Sequence, residues 1–261
     1  MEYEIQFKKE EVRAMLLRRG FVPELSFAVF NQEKIVSFML NGIGLFNGVQ
    51  TAYDTGTGTL KEYRGQGLAS KIFTHSIPIL KEAGVSSYVL EVLQHNTSAV
   101  SVYKKLGFQV SREFNYFSEP KDVFQFRAKE LPSDNSIHQI DETYFKFVSD
   151  FWDFSPSWQN SIEAILRKPD DFKKIGVFKD QQLIGYCLFE PISGDITQIA
   201  VDKKFRRQGI ATNLIQEVLK FANTERIKMI NTDVNCESIT EFMKSYSVEP
   251  KGKQFEMILE F

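Results

Sequence analysis

Two short stretches share an unusual spacing of arginine, glycine and alanine. Tyr63–Ser70 reads YRGQGLAS and Phe205–Thr212 reads FRRQGIAT, so R-x-x-G-x-A occurs as Arg64, Gly67, Ala69 and again 142 residues later as Arg206, Gly209, Ala211. Each precedes an apolar run of helical period. A turn between a strand and a helix N-terminus gathers free backbone N–H groups at the positive end of the helix dipole, which favours an anion and above all a phosphate. Glycine lets the backbone approach such a ligand, because no Cβ stands in the way. A P-loop would need G-x-x-x-x-G-K-[ST], which neither copy has. Gly65–Ser70 nearly fits the dinucleotide fingerprint G-x-G-x-x-G/A, but its third small position is Ser70, and the second copy has Arg207 in place of Gly65. A helix start with a convenient glycine would explain one copy; two in equivalent places argue for a retained anion cradle.

The elements around the turns repeat as well. Phe27–Leu40 and Ile175–Leu188 each read as two apolar runs joined by a polar turn, which is a hairpin pattern. The first copy carries six more residues before its turn, and the Gly/Asn-rich segment Asn41–Gly58 reads as a longer loop. Ile210, Leu214, Ile215, Val218 and Leu219 mark one buried helix face, as do Leu68, Ile72, Ile79, Leu80 and Ala83, with Gly84 as a stop and Pro78 as a kink. β-branched runs follow at Ser86–Leu93 and Ile227–Val234, and Asn96 aligns with Asn235. Three matches in one order indicate a diverged duplication. Ala128–Ser136 reads as the linker. The expected architecture is two α+β domains, 1–130 and 137–261.

Composition narrows the function. The chain has 261 residues, 43% hydrophobic and 25% charged, and 24 Phe for a ring-rich core. A net charge of −2 without a basic run speaks against nucleic acid and anionic membranes. No apolar stretch nears a membrane span of about 18 residues, and a charged N-terminal stretch speaks against a signal peptide. Cys187 and Cys236 show no metal or redox spacing and read as reduced thiols, so no metal and a cytoplasmic location are expected.

R-x-x-G-x-A opening a helix after a strand resembles the pyrophosphate-binding motif of the GNAT superfamily of acyl-CoA-dependent N-acetyltransferases, and the order of elements matches that fold twice, over nearly the whole chain. The resemblance implies two tandem GNAT-like domains, each a mixed, mostly antiparallel sheet flanked by helices. It implies acetyl-CoA as acetyl donor and an amine, small-molecule or peptide, as acceptor, in a monomer or homodimer. The turn amides at Arg64, Gly65, Gln66, Gly67, Leu68 and Ala69, and at Arg206, Arg207, Gln208, Gly209, Ile210 and Ala211, would hold the pyrophosphate. A bulge with free amides would meet the acetyl group and pantetheine over Thr57–Leu60, which includes Thr59 and Leu60, and over Ile199–Asp202, which includes Val201 and Asp202.

Such transfer also needs an acid for the leaving thiolate and a base for the amine. The family's N…A…Y…GF pattern stands in the first half as Asn96, Ala99, Tyr103, Gly107 and Phe108. By resemblance Tyr103 is the acid, and Asn96 bonds pantetheine or backbone. In the second half Asn235 aligns with Asn96 but Phe242 with Tyr103, so the acid is missing there. Glu91, in the strand run YVLEVL, is the candidate base; Asp54, in AYDTGTG, is a comparable candidate that reads more readily as a surface-loop residue. The aromatics Phe151, Trp152, Phe154 and Trp158 with Asp150 and Asp153 either hold an amine or pack the domain's first helices. Two readings therefore stand: a tandem N-acetyltransferase working through its first half, and a non-catalytic acyl-CoA-binding or regulatory protein.

Overall fold

The computed structural model describes residues 8–124 and 130–261. In chain order these form α1 (Lys9–Arg18), β1 (Phe27–Asn31), β2 (Lys34–Phe46), β3 (Val49–Thr59), α2 (Leu68–Glu82), β4 (Ser87–Leu93), α3 (Thr97–Lys105) and β5 (Gln109–Pro120). They continue with β6 (Asn135–Gln139), α4 (Ile162–Leu166), β7 (Lys173–Lys179), β8 (Gln182–Glu190), β9 (Asp195–Val201), α5 (Ile210–Leu219), β10 (Arg226–Asp233), α6 (Glu237–Lys244) and β11 (Gly252–Glu260). No helix among the described residues is long and apolar enough to cross a membrane.

Two compact units result: Met1–Arg112 with Phe255–Phe261, and Glu113–Gln254. The changeover falls inside β5 and β11 rather than at a linker between 130 and 137. The reason lies in the last strand, whose Met257 joins one apolar cluster with Phe73, Tyr88, Leu90, Tyr103 and Phe108, Phe255 and Leu259 packing against it. The expected linker lies partly outside the described residues, and Asn135 and Ser136 already belong to β6.

The first unit orders its strands β1-β2-β3-β4-β11, the second β5-β10-β9-β8-β7-β6. β1–β2, β2–β3, β5–β10, β6–β7, β7–β8 and β8–β9 pair antiparallel, and β3 pairs with β4 and β9 with β10 in parallel. The Gly/Asn-rich segment is not a loop. β2 and β3 run up to a two-residue Asn47–Gly48 turn with φ of 51° and 79°, the left-handed pair that suits the twist of a tight hairpin. The extra residues of the first copy therefore lengthen a hairpin. α2 runs through Pro78 and stops at Gly84, where the amides of Gly84 and Val85 close back on Lys81 and Leu80 at 2.9 and 3.0 Å. α5 buries Ile210, Leu214, Ile215, Val218 and Leu219, the stripe its period indicated.

Candidate active site

The two arginine-glycine turns have the same backbone. Gly67 and Gly209 sit at the helix N-caps with φ of 72° and 86°, and no side chain caps either helix. Gly65 has φ of 77°, and Arg207 takes the same left-handed conformation at 64° despite its side chain. The first backbone bonds of the helices run from Lys71 to Gly67 and from Asn213 to Gly209, both 3.0 Å, so the amides of Leu68 and Ala69, and of Ile210 and Ala211, have no intrahelical acceptor. A Cβ built at Gly65 or Gly67 meets nothing within 4 Å; conformation and room for a ligand, not crowding, call for glycine there. The arginines brace the turn. Arg64 Nε donates to the Thr59 carbonyl at 3.2 Å and Arg206 Nε to the Val201 carbonyl at 3.0 Å. Arg206 also reaches Asp153 at 2.9 Å. Gln66 binds the Glu62 carbonyl at 3.3 Å, and Gln208 is exposed.

The expected bulge lies elsewhere. Register slips where Leu40 faces Gly56 but Asn41 faces Asp54, leaving Thr55 extra on β3; in the second unit Thr197 is extra on β9. Thr57–Thr59 remain paired with β2, and the amides of Leu60 and Asp202 are taken by the carbonyls of Val36 and Ile184, both at 2.9 Å. Leu60 and Asp202 therefore offer no free backbone donor. Asp202 instead accepts from the Lys204 amide at 2.9 Å.

What opens the cleft is the parting of two parallel strands. β3 and β4 pair only from Thr51–Ser87 to Tyr53–Val89 and then diverge. Side chains alternate across the sheet, and Tyr88, Leu90 and Val92 point into the cluster under α2 and α3, so Glu91 points to the opposite face. There Glu91 accepts from the Tyr53 hydroxyl, and the Arg19 guanidinium stands 6.0 Å from the Tyr53 ring. Burial pushes the Glu91 carboxyl up to about 7; the charge of Glu256 adds to this, while the Tyr53 hydrogen bond, Arg19 and Arg112 oppose it.

On the α2–α3 face Tyr103 is buried, its ring edge-on to Phe73 and Phe108 at 5.7 Å each. Its hydroxyl lies 3.3 Å from Asp54 Oδ2, and Thr57 Oγ1 donates to Asp54 at 3.0 and 2.9 Å. Asp54 is a strand residue, not a loop residue. Burial raises its carboxyl to about 6, against hydrogen bonds from Thr57, the Gly56 backbone and Tyr103. Burial and the Asp54 charge push the Tyr103 phenol well up. Asn96 does not face the cleft freely: its Oδ1 caps α3, accepting from Ala99 N at 3.3 Å. His95 is exposed, and His75 meets the Phe27 ring edge-on.

The second unit holds a cavity of about 890 Å³ along its own turn, lined by Val201, Arg206, Arg207, Gly209, Ile210, Ala211 and Asn235 among others. Its strands β9 and β10 meet at Asp195–Lys228 and part. The corresponding helix of the second unit begins one residue later than the expected alignment placed it. Phe108 and Val248 bond back to Tyr103 and Met243 at the helix ends, and Asn96 and Cys236 are the N-caps. Cys236, not Asn235, therefore stands at the place of Asn96, and Met243, not Phe242, at that of Tyr103. Neither carries a phenol. Tyr246, one turn beyond Phe242, bonds Thr212 at the glycine turn. β10 has no carboxylate before Asp233. Of the aromatics, Phe151 and Trp158 are buried, and Trp152 Nε1 donates to Tyr186 at 2.6 Å, which is packing. Across the parted strands lies Ser157–Ser161: Gln198 of β9 donates to the Asn160 carbonyl at 2.5 Å, and Asn160 donates to Ile230 of β10 at 3.0 Å.

Comparison with known proteins settles what this geometry belongs to. The model of the acetyltransferase (GNAT) family matches the chain twice, over residues 2–108 and 135–240. The chain belongs to the GNAT family. It is an acetyltransferase of two tandem GNAT domains. Among curated relatives, N-alpha-acetyltransferase 30 of Schizosaccharomyces pombe is 30% identical over 127 residues, 47% of this chain and 85% of its own length. N-alpha-acetyltransferase MAK3 of Arabidopsis thaliana is 28% identical over 130 residues, 47% of this chain and 68% of that one. Among solved structures, a tandem GNAT protein from the clavulanic acid biosynthesis pathway superposes with a TM-score of 0.70 at 12% identity, covering 95% of this chain and 87% of that one. A GCN5-related N-acetyltransferase from Sphaerobacter thermophilus does so at 0.63 and 14%, covering 88% and 78%.

In this GNAT chain sequence reasoning missed the side-chain role of Thr57, which holds Asp54, and missed Tyr53, which holds Glu91, and Arg19, Arg112 and Glu256 around Glu91. Alternation along β3 could have indicated the first two. Nothing in the sequence brings Glu256 to Glu91.

Proposed function

We propose that the chain is an acetyl-CoA-dependent N-acetyltransferase whose first unit transfers the acetyl group and whose second unit holds acetyl-CoA without transferring it. The observation that carries this reading is the pair of groups flanking the β3–β4 parting: the Tyr103 phenol on one face and the Glu91 carboxylate on the other. Acetyl-CoA supplies the acetyl group as a thioester. The uncapped amides of Leu68 and Ala69 in the first unit, and of Ile210 and Ala211 in the second, suit its pyrophosphate, and the open space at Gly65 and Gly67 leaves room for it.

Glu91 takes the proton that makes the amine a nucleophile, and a carboxyl near 7 is suited to that at neutral pH. Tyr103 gives its proton to the departing thiolate; burial and the adjacent Asp54 keep the phenol protonated until then. For the acceptor we favour a peptide α-amine, because two relatives carry the name N-alpha-acetyltransferase. Buried free thiols at Cys187 and Cys236 accord with a cytoplasmic setting. In the second unit Ser157–Ser161 crosses the face of the parted strands away from α5, the face that in the first unit carries Glu91. With no phenol at Met243 and no base on β10, that cleft binds but does not transfer.

The test is calorimetric titration with acetyl-CoA alongside turnover on a panel of peptide amines. Wild type is expected to bind two equivalents, and Gly67→Glu and Gly209→Glu one each, with turnover lost only in Gly67→Glu. Cofactor binding without turnover on any amine would favour the regulatory reading. Two equivalents retained in both variants would overturn the turn assignment.

A further inference from the structure

Glu91 has neighbours from strands far apart in sequence. Beside β4 in the first unit runs β11. Met257 is buried in the cluster under α2 and α3, with Phe255 and Leu259 against it, so alternation turns Glu256 to the face of Glu91. Glu256 is buried and held at both oxygens: Arg112 Nε and Nη2 donate at 2.8 and 2.6 Å, and Ser111 Oγ donates at 2.8 Å. Along this face stand Tyr53 on β3, Glu91 on β4, Glu256 on β11 and Arg112 on β5, with Arg19 beyond α1 over the Tyr53 ring.

We propose that Glu256 and Arg112 are positioning residues for the transfer reaction, a buried ion pair that sets the pH at which Glu91 becomes a base. This rests on the reading of Glu91 as that base. Glu91 feels two opposed charges in a buried setting. Glu256 makes ionisation of Glu91 harder, and Arg112 makes it easier. While they are paired their effects partly cancel; removing either leaves the other uncompensated, and the two removals act in opposite directions. A surface pair would be screened and would do neither. Because Glu256 comes from the chain's last strand, the working pH of the first unit is set by a residue that lies, in sequence, beyond the whole second unit.

The experiment is the pH profile of kcat/KM of the full chain, with a carboxyl carbon NMR titration of Glu91 in the same proteins without substrate. In wild type the acid limb is expected near 7. Glu256→Gln should move the limb and the NMR midpoint down by about one unit, and Arg112→Gln up by about one unit. Near pH 6 that is about fivefold faster and about tenfold slower than wild type. Arg112→Lys keeps the charge and should leave the limb within about 0.3 unit. If a Gln variant unfolds, the remaining one and Arg112→Lys still decide by direction. Limbs that stay in place, or that move the same way in both Gln variants, overturn the inference. Should Glu91→Gln retain the limb, the base assignment itself fails, a result distinguishable from the first.

Discussion

Tyr103→Phe separates chemistry from packing. The ring remains wedged against Phe73 and Phe108 at 5.7 Å, and only the hydroxyl oxygen is removed. What is lost structurally is the long hydrogen bond to Asp54 at 3.3 Å and the hydroxyl's contact with Thr57, while Asp54 keeps its two contacts from Thr57. Such a bond contributes about 1 kcal/mol or less, so the melting temperature should shift by no more than a few degrees. An acid positioned at a leaving group contributes roughly 10²–10⁴ in rate, about 3–5 kcal/mol at about 1.4 kcal/mol per decade. The assay is thiol release from acetyl-CoA with a peptide amine, with acetyl-CoA affinity measured separately. We expect kcat to fall at least a hundredfold while affinity changes less than threefold. Turnover within threefold of wild type, or affinity falling in step with rate, would refute the assignment of Tyr103 as the acid.

Other predictions can be read from single positions. Glu91→Gln should lose the acid limb near pH 7 in kcat/KM and most of the rate above it; a limb still present at the same pH means another base. Asp54 has a folded value near 6, raised from its ordinary 3.8, so its ionisation opposes folding and stability falls as pH rises through 6. Asp54→Asn should therefore melt higher than wild type at pH 8, by no more than about 3 kcal/mol in stability, and equally at pH 3; the opposite order in thermal melts rules this out. Arg207 holds φ of 64° without being glycine, so Arg207→Gly should raise the stability of the unliganded chain by roughly 0.5–1 kcal/mol. An unchanged denaturant midpoint would show that the turn is not strained.

The duplicated turn was legible because it depends on local rules. Left-handed backbone at 65, 67, 207 and 209 and an uncapped helix start are encoded within eight residues. The α5 stripe was legible for the same reason, since one buried face fixes its period. The longer hairpin was misread because its glycines suggested a loop, although Asn47–Gly48 is itself a turn signal. The Tyr103 equivalent slipped by one because alignment through Asn235 ignored where the helix begins; hydrogen bonds at the helix ends, not residue likeness, set the register. Asp54 lies three residues from Thr57 but 49 from Tyr103, and it looked like a loop residue. Glu256 was beyond reach, since its relation to Arg112 and Glu91 exists only once the last strand is in place.

That last strand bears on how the molecule is made. The first unit includes Phe255–Phe261, about 140 residues downstream of Arg112. At roughly 5–20 residues per second, the ribosome delivers those residues about 7–30 s after the rest of the unit has emerged. Through that interval the nascent first unit lacks the strand that places Met257 in its core and leaves β4 with an open edge, a template for mispairing. The second unit is complete earlier, at Gln254. The order of maturation is thus the reverse of the order of synthesis: the unit translated first closes last.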